Sequence, residues 1–178
     1  MDSTTDLIVA PATAPQPAAR SIVRLAGDGL SGVLRQLFLS ADGSPLQLPD
    51  LQQPAQLINV AFHPEALGSV WGKLPVAVLF WPGPAGPLGA PVAEVQLPGS
   101  APLQAAFVQE TCRLGARLAR GGEFSLRSFL AGKIDLLQAE AVVADSGIVV
   151  LLSKLRRNNC GVLRLERSQM ALVTPISE

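Results

Sequence analysis

The chain has 178 residues, 48% of them apolar, with fourteen basic side chains balanced by fourteen acidic ones. That length fits one domain, or one domain with an appendage, and can bury a core without disulfide or metal staples. The apolar content excludes disorder throughout, and the zero net charge removes any bulk electrostatic case for nucleic acid, although acidic residues prevail before residue 148 and basic ones after it.

Taken in order, Asp6–Ala10 is a short apolar run that predicts a buried strand. Three prolines in Pro11–Ala19 predict a loop. Ser21–Ala26 alternates, and so predicts a strand with Arg24 on the face opposite Val23 and Leu25. Asp28 is placed to cap a helix running to about Leu39, with Leu30, Val33, Leu34, Leu37 and Phe38 at helical spacing. Ala41–Pro54 is rich in turn residues. Leu57–Phe62, Pro75–Trp81 and Val92–Leu97 have strand composition, the last carrying Glu94. Ser100 and Pro102 open a helix on a stripe marked by Leu103, Phe107, Leu114 and Leu118, with Gly115 as its stop, so that Leu118 lies just beyond it.

Arg120–Asp145 organises the rest. Ser125 is placed to cap a helix to about Ala131, ended by Gly132, and Lys133 then sits in a two-residue joint. Asp135 opens a further helix, with Gln138 completing a capping box and an apolar face from Leu136 to Val143 that should be buried. Beyond it, Ile148–Ser153 and Val162–Glu166 read as two strands joined around Asn158 and Asn159. The fold class that follows is α+β, a mixed sheet of about five strands with flanking helices.

Several chemistries lack their residues. A phosphate-cradling loop needs GxxxxGK[ST]; Gly72-Lys73 is followed by Leu74 and Gly132-Lys133 by Ile134, so this chain is not expected to bind or hydrolyse GTP. Cys112 and Cys160 are isolated, with no CxxC or CxxH neighbour, so no metal is expected and a reducing compartment fits them. His63 has no nucleophile or base beside it in sequence. No apolar run reaches membrane-spanning length and the N-terminus does not read as a leader; a cytoplasmic protein without a membrane partner is the expectation.

One stretch is specific. GEFSLRSFLAGKIDLLQAEAV, Gly122–Val142, resembles the G-E-F-x-x-R-A-F-L-N-G-K-x-D-L-x-Q-A-E-A-V signature that closes the N-terminal domain of the MnmE/TrmE family of tRNA modification GTPases, departing only at Ser128 and Ala131. DLIVAPATAPQPAARSIVRLAG, Asp6–Gly27, aligns with that family's T-I-x-A-x-A-T-P-P-G-R-G-G-x-G-I-x-R-x-S-G without a gap, keeping Ala12, Thr13, Pro15, Arg24 and Gly27. Its glycine-rich turn is replaced by Gln16, Pro17, Ala18 and Ala19, and its last glycine by Ser21. Further on Gly89 and Glu94 hold, while an acidic pair has become Ala90-Pro91 and a His-Gly-Gly has become Pro98-Gly99-Ser100. The resemblance ceases after Asp145, so residues 1–146 form the expected N-terminal-like domain and 147–178 a divergent extension.

The resemblance implies a folate-binding, aminomethyltransferase-like domain that takes 5-formyl-tetrahydrofolate at a homodimer interface for modification of wobble uridine. Carried over by position, the folate contacts are Arg24, Glu94 and Lys133. A carboxylate suits the adjacent N–H donors of a pterin edge, and cations suit the glutamyl tail and formyl oxygen. Implied partners are a second copy of the chain and, in the full family setting, an MnmG-like flavoprotein and tRNA. The rival reading is a structural remnant that folds and binds no ligand; the rewritten loops motivate it. A stand-alone folate enzyme would need an acid–base residue that the sequence does not offer.

Overall fold

In the computed structural model, the described residues are 5–14, 18–62 and 72–135. The expected helix beyond Asp135, the two strands after Ile148, and His63, Cys160, Gln16 and Pro17 lie outside them.

Alternation decides the architecture. In strand β2, Ala18–Ala26, the side chains of Ser21, Val23 and Leu25 are buried on one face and those of Ile22, Arg24 and Ala26 lie on the other. Strand β6, Val92–Gly99, runs antiparallel to it with Val23 opposite Val95 and Arg24 opposite Glu94. Strand β5, Leu74–Trp81, pairs with the other side of β6, and β4, Gln56–Phe62, pairs with β5. Strand β1, Ile8–Pro11, flanks β2. Two short strands complete the sheet: β3, Phe38–Ser40, and β7, Arg117–Leu118. The order is β3-β4-β5-β6-β2-β1-β7, antiparallel except for the parallel β1–β7 pair. The mixed sheet is therefore as expected in kind but has seven strands among the described residues, because β3 and β7 are too short to leave a two-residue period in the sequence.

The main core lies on one face. Val23, Leu25, Val78, Phe80, Val95 and Leu97 pack there against helix α1, Leu30–Leu37, and helix α2, Ala101–Arg113. Phe38, Phe62 and Phe107 form its aromatic centre, with ring centroids 5.2 to 6.0 Å apart. The opposite face carries a smaller cluster, Ile8, Ala26, Leu88 and Val92, against which Trp81, Ala119 and Phe124 pack. Phe124 belongs to helix α3, Glu123–Leu130, so α3 covers the β1–β2–β6 end of that second face. Over β4 the second face stays open, with Leu57 61% exposed.

Three local expectations are corrected. Asp28 is not a cap: α1 starts after Gly29, which sits at φ 80°, with no side-chain cap bond. The predicted helix to Leu39 ends at Leu37, because Phe38 and Leu39 pair with Phe62 and Ala61 in the sheet. Ser125 lies inside α3, which begins at Glu123 after Gly122 at φ 71°. Leu118 lies beyond the Gly115 stop as expected, on β7, and is 59% exposed. Ser100 does stand at the N-cap of α2 with Pro102 at its start, although its hydroxyl makes no cap bond.

Candidate functional site: a cross-strand ion pair beneath helix α3

Arg24 and Glu94 occupy opposite register positions on β2 and β6, the two strands at the centre of the sheet. Their facing is fixed by the ladder, since a slip of one residue would carry both into the core. Arg24 Nε and Nη2 donate to Glu94 Oε1 at 2.9 and 2.6 Å. Among the described residues, Glu94 Oε2 and Arg24 Nη1 take no further partner, and the side chains are 20% and 40% exposed. The pair is thus satisfied on one edge and open on the other. Glu94 thus stands in an interior strand, between β5 and β2.

Phe124 lies beside this pair, with the Arg24 guanidinium carbon 5.7 Å from its ring centroid. Its place follows from the charges on either side of it in the helix. Glu123 accepts from Arg117 Nη1 and Nη2 at 2.9 and 2.5 Å, from the Arg120 backbone N–H at 2.8 Å and from Arg127 at 2.9 Å. Arg127, only 6% exposed, also donates to the Asp6 carbonyl at 2.7 Å and to Asp6 Oδ1. Arg117 donates in turn to Asp6 Oδ2 at 2.5 Å. Two guanidiniums and two carboxylates so clamp the first turn of α3 to Asp6, two residues before β1, and to β7. Hydrogen bonding from Arg117 is the main cause that holds the Glu123 carboxyl down to about 2, and it also lowers that of Asp6. The same acids push the Arg117 guanidinium further up.

The far end of α3 carries Lys133. Gly132, at φ 68°, lets the chain reverse: its N–H bonds to the Phe129 carbonyl and the Lys133 N–H to the Ser128 carbonyl, both at 2.9 Å. The Ser128 hydroxyl donates to the Pro87 carbonyl at 2.8 Å, which ties this turn to the loop entering β6. Gly89 packs so close that a Cβ there would lie 2.7 Å from that of Ala131. Lys133 is exposed. From Phe124 to Ala131 the helix advances on the order of 10 Å. The sequence-derived trio is therefore arranged as two poles: Arg24 and Glu94 touch, and Lys133 stands at the other end of the same helix, in contact with neither.

Sequence reasoning missed Phe124 and the Asp6–Arg117–Glu123–Arg127 clamp. The four-residue spacing of Glu123 and Arg127 was a legible signal; the pairing of Arg127 with Asp6, 121 positions away, had none. Among the described residues there is no group of three or more His, Cys, Asp or Glu side chains able to hold a metal, and no helix long and apolar enough to cross a membrane. Partial burial against the main core pushes the Cys112 thiol up.

Residues 7–133 match the family described as GTP-binding protein TrmE N-terminus. Among curated proteins, the tRNA modification GTPase MnmE of Rhodopirellula baltica is 38% identical over 172 residues, covering 93% of this chain and 35% of that protein. The MnmE of Marinobacter nauticus is 37% identical over 145 residues, 80% of this chain and 28% of its own length. That of Moorella thermoacetica is 32% identical over 161 residues, 86% and 33%. The chain thus spans about a third of the length of these relatives. A match over 93% of the chain takes in more residues than lie between 1 and 146, so the likeness does not stop at Asp145 as the signature alone suggested. The chain belongs to the MnmE/TrmE family and corresponds to that family's N-terminal domain.

Proposed function

We propose that this domain binds a reduced folate, 5-formyl-tetrahydrofolate, and presents its one-carbon unit for tRNA modification. The observation that carries the reading is the half-open Arg24–Glu94 pair. Among the described residues nothing bonds the second carboxylate oxygen of Glu94, which suits the adjacent N–H groups of a pterin edge, or Nη1 of Arg24, which suits an oxygen of the ligand. Lys133, exposed and one helix length away, suits an anionic tail. The ligand so described is elongated, with a flat hydrogen-bonding head and a negative end. That is the shape of a folate.

The open part of the second sheet face, with Leu57 uncovered on β4, supports assembly of two copies of the domain. An MnmG-like flavoprotein and tRNA are the further partners that this reading entails. Calorimetric titration with 5-formyl-tetrahydrofolate tests it. Saturable binding that is lost in Glu94→Ala and in Lys133→Ala, with melting temperatures preserved, is the expected result. Absence of heat up to about 1 mM ligand, where binding worth some 4 kcal/mol would still register, refutes it and leaves the structural-remnant reading.

A further inference from the structure

We propose that Phe124 is a positioning residue of this same site: its ring sets the plane of the Arg24 guanidinium and so aims the free edge of the Arg24–Glu94 pair at the ligand. The proposal rests on the folate reading and adds a residue that the charges do not identify. Three observations carry it. Arg24 is 40% exposed, on a strand whose ladder fixes its Cα but not the end of its side chain. Its bonds to Glu94 converge on a single oxygen, Oε1, which leaves the guanidinium free to swing about that atom. The contact that stops the swing is Phe124, 5.7 Å from the guanidinium carbon. A guanidinium against an aromatic face prefers one tilt, and a half-buried ring held by its packing against the second-face cluster enforces it.

Phe124 has that rigidity. It packs on Ile8, Ala26, Leu88 and Val92, and its neighbour Glu123 is held by Arg117, Arg127 and the Arg120 N–H. Were the ring only core filling, any apolar side chain of similar volume would serve, and ligand binding would not depend on aromaticity. Were it a positioning residue, loss of the ring would act through Arg24 alone.

Binding of 5-formyl-tetrahydrofolate by the whole chain separates these. Phe124→Leu is expected to weaken binding about fivefold, the equivalent of one exposed cation–aromatic contact, with little change in melting temperature. Phe124→Tyr, which keeps the ring, is expected to restore it. In an Arg24→Lys background, which keeps the charge but not the planar fork, Phe124→Leu should weaken binding less than twofold further. Equal affinity of wild type and Phe124→Leu overturns the proposal while leaving the folate reading intact, as does an undiminished effect of Phe124→Leu in the Arg24→Lys background. Should Phe124→Leu melt below the assay temperature, the comparison is made between Phe124→Tyr and Phe124→Met. No binding by the wild-type chain refutes both readings at once.

Discussion

Replacing Arg127 by Met tests whether the four-charge clamp holds α3 in place. The guanidinium is 6% exposed and makes three bonds: to the Asp6 carbonyl, to Asp6 Oδ1 and to Glu123 Oε1. Methionine fills most of the volume and removes all three. Breaking a buried ion pair from one side costs about 3–5 kcal/mol. Two features argue for the lower end: Asp6 is 33% exposed, and Arg117 remains to pair with both acids. A loss of about 3 kcal/mol follows, which for a chain of this size is a fall of roughly 10 °C in melting temperature. Urea and thermal unfolding, followed by circular dichroism at neutral pH, measure it. Arg127→Lys should recover less than half, since a single ammonium cannot bridge three acceptors in a fixed fork. A variant within about 1 kcal/mol of wild type would refute the reasoning; the network would then be a set of surface pairs worth little.

Three further outcomes are expected. The folded state depresses the Glu123 carboxyl from its ordinary 4.5 to about 2, so the unfolded chain takes up the proton first as the solution is acidified. The stabilisation is full above pH 4.5 and is lost as the pH falls toward 2; acid titration of unfolding should show this slope, and Glu123→Gln should flatten it. Gly89→Ala puts an L side chain at φ +66° with its Cβ 2.7 Å from that of Ala131, and should cost about 2 kcal/mol; an unchanged urea midpoint would mean that loop and helix do not meet. Gln104, 2% exposed, donates to the Thr13 carbonyl at 3.2 Å, and Gln104→Leu should lower stability by about 1–3 kcal/mol in the same assay by stranding that acceptor.

The long strands were legible because one of their faces is buried. Pro75–Trp81 and Val92–Leu97 carry the β-branched and aromatic residues of buried strands, and the sheet extends them by only a residue or two. Arg24 was rightly set on the face opposite Val23 and Leu25 for the same reason. The short elements were not legible, since β7 has two residues and is a strand only because Ile8 and Val9 lie beside it. Helix starts failed in a consistent way. At Asp28 and Ser125 a capping side chain was in view, but the chain turns on a glycine one position after Asp28 and three before Ser125. A glycine at positive φ enters the helix without any side-chain cap, so the stronger signal in each case was the glycine.

The site divides along the same line. Arg24 and Glu94 meet because of strand register, which is a long-range property, yet the face each would occupy was readable from its own strand. Lys133 was placed at a helix end by Gly132, and that local signal held, down to the bonds that fix the turn. What stayed hidden was anything requiring two distant segments at once: the aromatic contact at Arg24 and the clamp beneath it. This bears on the rewritten loops. Ala18 and Ala19 stand where the family's turn carries glycines, and here they are already part of β2, with Ala18 opposite Gly99. The changed loop therefore feeds a strand whose register from Ser21 to Ala26 runs without interruption against β6. Both poles of the proposed site hang on elements that the replaced turn does not support: a ladder for Arg24 and Glu94, a capped helix for Lys133. A domain can thus lose bare backbone at Gln16–Ala19 and still keep its charges in place. The loop substitutions alone do not argue for a remnant, and the state of the Arg24–Glu94 pair is what distinguishes the two readings.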